Sequence, residues 1–209
     1  MYRHRLILPL IIAVAASAAC SEGSPDALVG DGTSMERQMA EVIVETDGLV
    51  GEMLDFQLNR DDGGRAGDEP ITIDISFDVS RPCPLGGEVS IEGNMHRTFD
   101  PATVTSEATF SGNKTLTDCA FMKEEHVITV NGAAQWDAFR RWVDFRPDGL
   151  QTTSYSGSVV AVRDDGEQRS CEFSVEAVRD PATRTRTVTA TICGNEFNST
   201  VTWNPASGG

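Results

Sequence analysis

From Ile71 to Ser80 the chain alternates without a fault: Ile71, Ile73, Ile75, Phe77 and Val79 are apolar, and Thr72, Asp74, Ser76, Asp78 and Ser80 between them are polar. Successive side chains of a strand point to opposite faces, so this run demands a sheet with one face buried and one in water. Pro82-Cys83-Pro84-Leu85-Gly86-Gly87 reads as a turn, and Val89, Ile91 and Met95 resume the alternation behind it. Further strands are expected over 103–110, 126–134, 154–162, 170–178 and 185–193, with a short last one at 201–203. Arg146-Pro147-Asp148-Gly149 and Asp180-Pro181-Ala182-Thr183 are turn sequences between them. Residues 135–145 fit a helical face through Trp136, Phe139 and Val143, or a strand face through Trp136, Ala138 and Trp142. The strong turn behind them favours a hairpin.

Ahead of the strands the period differs. Met35, Met39, Val42, Ile43, Leu49, Val50, Met53 and Leu54 recur mainly at three- and four-residue steps, with Ser34 as the expected N-cap. Asp47-Gly48 interrupts the run, which predicts two helices or one kinked helix. Its Met-rich face would cover a sheet or line a ligand cavity. Residues 59–70 read as an acidic loop, since the alternating oxygen ligands and closing Glu of an EF-hand are absent. The expected fold is mainly β (α+β): an N-terminal helix packed on a curved antiparallel sheet of seven or eight strands. A half-barrel is the first form and a two-layer sandwich the second.

The first residues carry an address. MYRHR is a basic head, an apolar run from Leu6 to Ala16 follows, and small residues lead to Cys20. That order is a secretory signal peptide, and its apolar part is shorter than the ~20 residues a bilayer-spanning helix needs. Ser17-Ala18-Ala19-Cys20 resembles the bacterial lipobox, with Ser17 where Leu is usual. The resemblance implies lipidation at Cys20, a membrane anchor and, in a Gram-negative cell, outer-membrane sorting through Ser21. Cleavage at Ala16-Ser17-Ala18 is the alternative and would leave a secreted or periplasmic soluble protein. The expected layout is a signal peptide over 1–19, a lipidated Cys and tether over 20–33, one domain over 34–205 and a loose tail over 206–209.

Cysteine usage agrees with export. Setting Cys20 aside leaves Cys83, Cys119, Cys171 and Cys193, an even set suited to two disulfides. Sequential pairing, Cys83 with Cys119 and Cys171 with Cys193, is favoured because each pair brackets a hairpin. Placing Cys171 opposite Cys193 conflicts by one residue with matching Phe173 and Val175 to Ala190 and Val188, so a bulge is expected there. Cys-Pro-Leu-Gly-Gly-x-Val-x-Ile-x-Gly from Cys83, Asp118-Cys119, Val130-Asn131-Gly132, Cys171 and Cys193-Gly194 together resemble a group of uncharacterised bacterial envelope lipoproteins. That resemblance implies fold and location, and brings no activity.

A net charge of −15, which loses two further positive charges with Arg3 and Arg5, repels nucleic acid. No Gly-x-Ser-x-Gly elbow, HExxH, CxxC or phosphate loop is present, so neither a catalytic residue nor a metal or cofactor is expected. His96 and His126 read as strand-edge residues. Asn113 and Asn198 stand in sequons that a bacterial export signal makes accidental. Trp136, Arg140, Arg141 and Trp142 could form a recognition patch, or a core Trp with solvated Arg. The expected role is a non-enzymatic envelope module, binding a protein or glycan partner or supporting the envelope. The alternative is a carrier of an apolar ligand or lipid, similar in outline to lipoprotein-carrier folds.

Overall fold

The computed structural model describes residues 28–30, 32–60 and 69–202, and for helix residues 50–60 the backbone alone. The signal peptide, Cys20, the tether as far as residue 27, loop residues 61–68 and the tail from 203 lie outside the described residues. The elements in chain order are β1 (Val29–Gly30), α1 (Ser34–Arg60), β2 (Ile71–Pro82), β3 (Glu88–Asp100), β4 (Thr105–Lys123), β5 (His126–Val143), β6 (Arg146–Pro147), β7 (Gln151–Arg163), β8 (Gln168–Asp180), β9 (Thr185–Ile192) and β10 (Asn195–Thr202). All strands belong to one antiparallel sheet of order β1-β10-β9-β8-β7-β5-β4-β3-β2, with β6 paired to β5. The sheet is open, with β2 at one edge and β1 at the other.

Two expectations are corrected here. The sheet has ten strands rather than seven or eight, and it is one layer of strands rather than a sandwich. The added strands are short: β1 comes from the segment read as tether, and β6 from the segment read as a turn. Two residues of ladder leave no period in the sequence. The domain therefore starts before residue 34, with Leu28 buried and Val29 and Gly30 paired to Asn198 and Phe197. The last strand likewise begins at Asn195, well ahead of 201.

Helix α1 is continuous through Asp47-Gly48. Its cap is Thr33, one residue before the Ser expected. The Thr33 hydroxyl accepts from the Glu36 amide at 3.4 Å, and Glu36 returns a carboxylate to the Thr33 amide at 2.8 Å. This is a reciprocal capping box, Thr-x-x-Glu. Met35, Met39, Val42 and Ile43 are fully buried, and Leu49 packs on the same core.

The sheet face beneath α1 carries Val89, Ile91, Phe110, Trp136, Tyr155, Val175, Ala190 and Phe197, all buried. Trp136, Ala138 and Trp142 share that face, the strand alternative for 135–145. Phe77 on β2 reaches Trp136 on β5, ring centroids 6.4 Å apart, with Phe110 between them at 6.4 and 5.9 Å. Three strand steps in a flat sheet would separate those backbones by about 14 Å. The two rings instead meet over Gly93 and Gly112, which stand between them in register and carry no side chain to hold them apart.

On the inner face, where strands approach closely, the chain uses glycine. Gly93 lies opposite Gly112, and Gly157 opposite Ala134. A Cβ at Gly157 would stand 2.0 Å from the Ala133 carbonyl oxygen, and one at Gly112 would stand 2.1 Å from that of Glu92. Two hairpins close on one repeated turn. In Asp100-Pro101-Ala102-Thr103 and Asp180-Pro181-Ala182-Thr183 the Asp carboxylate accepts from the Ala amide and the Thr hydroxyl, each at 2.9 Å. The Thr hydroxyl is the main cause holding both carboxyls below their ordinary range. The next residue, Val104 or Arg184, takes a positive φ of 50° or 58°.

The disulfides join Cys83 to Cys119 and Cys171 to Cys193, with Cα atoms 5.4 and 5.0 Å apart. A bulge between Leu116 and Cys119, held by reciprocal hydrogen bonds of Asp118 and Asn131, turns Cys119 inward. In the second hairpin Phe173 faces Ile192 and Val175 faces Ala190, not Ala190 and Val188 as expected. Cys193 meets Cys171 by leaving the strand. With Gly194 it forms the turn into β10, at φ 52° and 82°.

The inner glycines are testable. Gly157→Ala must push two strands apart, and is expected to cost about 2 kcal/mol, within the ~1–3 kcal/mol of overpacked cores. Neighbouring Ser156→Ala, on the outer face, should stay within ~0.5 kcal/mol of the parent. Urea unfolding of the three chains decides.

Candidate functional site

Two polar sites stand out, one on each face of the sheet. The inner one lies under α1. Lys114 follows Ala108, Phe110 and Gly112 on the inward side of β4 and is 2% exposed. Its Nζ donates to the Thr46 hydroxyl at 2.6 Å and lies 4.3 Å above the Tyr155 ring. Thr46 donates to the Ile43 carbonyl at 2.7 Å, and the Tyr155 hydroxyl donates to that same oxygen at 3.0 Å. One residue along the helix, Asp47 accepts from Arg186 of β9 at 2.6 Å.

Burial pushes the Lys114 ammonium down to about 8; nearby Asp47 opposes the shift and Arg186 adds to it. Burial likewise pushes Tyr155 well above its ordinary value, with Asp47 adding and Arg186 opposing. A depressed lysine beside a tyrosine is the kind of pair that does proton chemistry. Here, however, Thr46, Lys114 and Tyr155 are all sealed from solvent. Their hydrogen bonds fasten the helix to the sheet.

The outer site is a trough of about 980 Å³ crossing the sheet from β3 to β9. Asn113, Thr115, Gln135, Ser156, Ser158 and Ser174 line its floor, with Glu92 and Glu172 among the walls. A second depression of about 320 Å³ shares Gln135, Ser156 and Ser174 and adds Asp137 and Glu176. Hydroxyls and amides both donate and accept, and carboxylates accept. The trough can therefore bind a chain rich in hydroxyl or amide groups along an open path.

The residues singled out from sequence separate. Trp136 is core, 1% exposed, and so is no part of a surface patch. Arg140 donates to the Thr152 carbonyl at 2.7 Å and the Thr153 hydroxyl at 2.9 Å, bracing β5 on β7. Trp142 packs partly on the core, and Arg141 lies 3.3 Å from Asp148. His96 bonds Asp74 and His126 bonds Asp164, at 2.7 and 2.8 Å, in separate parts of the sheet. Among the described residues no three His, Cys, Asp or Glu side chains gather where they could hold a metal. None of the described helices is long and apolar enough to cross a membrane. No family model, no curated protein and no solved structure matches the chain.

Lys114 yields a pH prediction. The folded chain holds this proton more weakly than the unfolded chain does. From about pH 8 up to the ordinary lysine value the unfolded chain binds more protons, so stability rises with pH. The rise this one group contributes is about 3 kcal/mol. Lys114→Met should abolish it, so parent and variant converge by about 3 kcal/mol between pH 7.5 and 10.5 in urea unfolding. Parallel pH curves would show that Lys114 is not the cause.

Proposed function

We propose that this chain is an exported bacterial envelope lipoprotein, anchored through Cys20, that works as a non-enzymatic binding module. The supporting observation for location is the cysteine pattern. Cys83, Cys119, Cys171 and Cys193 pair among themselves, as suits an oxidising compartment, and Cys20 alone is left over at the end of an apolar leader. An odd cysteine behind a basic head, an apolar run and small residues is where a bacterial chain takes its lipid.

The open trough carries the binding reading. It offers a path of hydrogen-bonding groups, lined by hydroxyl, amide and carboxylate, across the middle of the sheet. The two histidines of the domain each face their own aspartate, and the one strongly depressed lysine is sealed under α1. A polar chain of the envelope, glycan first and extended peptide second, matches that lining. The carrier reading has less support, because Met35, Met39, Val42 and Ile43 pack directly into the core.

Both halves are testable. In cells, Cys20→Ser should move the protein from the membrane to the soluble fraction, and the parent's mature N-terminal peptide should carry a diacylglyceryl mass. An unmodified Cys20 peptide would refute the anchor. The purified mature chain should co-sediment with isolated peptidoglycan sacculi. Ser156→Trp, which fills the trough floor from an exposed position, should reduce that binding at least tenfold without changing the unfolding midpoint. Equal sedimentation of both chains would refute the trough as the site.

A further inference from the structure

Followed from strand to strand, the register gives the domain two ends. At one end lie the two Asp-Pro-Ala-Thr turns and the loop from β5 through β6 to β7. At the other lie the β4–β5 turn at Glu124-Glu125 and the β7–β8 turn at Asp164-Asp165.

The chain enters from the first end. β1 runs antiparallel to β10, so going back from Gly30 to Val29 leads toward Thr202 and the repeated turns. Val29 is level, through Asn198, Thr189, Glu176 and Ser154, with Asp137 of β5. From Asp137 the near end, at Val143, is six residues or about 20 Å away, and the far turn, at His126, is eleven residues or about 36 Å. The nine steps from Cys20 to Val29 span at most ~32 Å even if fully extended. An anchor at Cys20 can lay the near end on its membrane and is too short to bring the β4–β5 turn there. The β2–β3 turn, six residues or about 20 Å beyond Ser76 at the same level, is within its reach, and it is the direction of entry that favours the near end over it.

The near end is also built for contact. Asp144 and Phe145 form a two-residue turn between Val143 and Arg146, both with positive φ, 52° and 59°. Such turns favour Asn-Gly, and a bulky side chain at positive φ is strained. Phe145 is nonetheless there, 71% exposed, with Leu150 57% exposed a few residues on. Exposed Arg146, Arg179 and Arg184 belong to the same end of an otherwise acidic protein. The far end also exposes Leu85 and Met122, but shares them with Glu124, Glu125, Asp164 and Asp165. The near end sets its arginines beside Asp144 and Asp148 in rough balance, while the acids gathered at the far turns repel anionic headgroups.

We propose that the Phe145–Leu150 loop is a membrane-contact site. With the Cys20 lipid it makes a second attachment point, which holds the domain upright with the far turns outward. The proposal rests on the Cys20 anchor reading, and the test separates the two.

The full chain, expressed with its leader, takes p-benzoylphenylalanine as Phe145→p-benzoylphenylalanine or as Leu85→p-benzoylphenylalanine, and envelopes are irradiated. Phospholipid adducts are expected at position 145 at no less than ten times the yield at 85. Equal yields, a preference for 85, or protein adducts in place of lipid at 145 would overturn the contact site. The N-terminal peptide from the same sample reads the anchor independently by its mass. A second variant guards against a purely structural effect. Phe145→Gly relieves the turn, so its unfolding midpoint should equal or exceed the parent's, while lipid adducts from Leu150→p-benzoylphenylalanine in that background fall several-fold. Unchanged adducts there would also overturn the proposal.

Discussion

One turn of helix α1, from Ile43 to Asp47, holds the molecule together. The Ile43 carbonyl accepts from Tyr155 on β7, Thr46 from Lys114 on β4, and Asp47 from Arg186 on β9. Those strands span the middle of a wide sheet that has no barrel closure to fix its shape. Apolar contacts between α1 and the sheet supply most of the attraction, but they are non-directional. The three polar contacts set where along the sheet the helix sits and how it is rotated. Burying Lys114 costs stability at neutral pH, since removing an ammonium from water is expensive even when it finds a hydroxyl and an aromatic face. The chain carries that cost at the point where an open sheet and its one helix must be held in register.

The close approach of the strands has its own origin. Inner-face glycines at 93, 112, 132 and 157 let the strands approach where any Cβ would collide with a neighbouring backbone. On the same face Phe77, Phe110 and Trp136 fill the space that Gly93 and Gly112 leave free. On the outer face, behind Gly112 and Gly157, Asn113, Ser156 and Ser158 line the trough. Site and core are thus two sides of one local compromise.

Much of this was legible in sequence, and the gaps have physical reasons. Strict alternation made β2 plain, and hairpin bracketing gave the cysteine pairs. β4 and β5 are far longer than their patterns suggested, because Gly112, Lys114, Gly132 and Ala134 stand at inward positions and break the apolar period. The parity signal was present: Lys114 keeps step with Phe110 and Leu116, and Arg186 with Val188 and Ala190, so both charges point into the core. A charge on the buried side of a strand is a better lead than a Trp-Arg cluster, which here dissolved into core and bracing contacts. The duplicated Asp-Pro-Ala-Thr was equally visible, and marks two turns of one geometry. β1 and β6 left no trace, since two residues of ladder carry no period. The Asp47-Gly48 break did not stop the helix, because Asp47 is held by Arg186 across the core.

The disulfide order carries a consequence for how such a chain matures. Each cysteine of the domain bonds to the next one in sequence: 83 with 119, then 171 with 193. From β2 to β10 every long strand also lies beside its sequence neighbour. A polypeptide threaded N-terminus first into an oxidising space therefore meets each bonding partner in the order of emergence, and the first bridge can close before Cys171 arrives. The clasp of β1 on β10, and with it the Asp47–Arg186 contact of α1 on β9, must wait for the last strands.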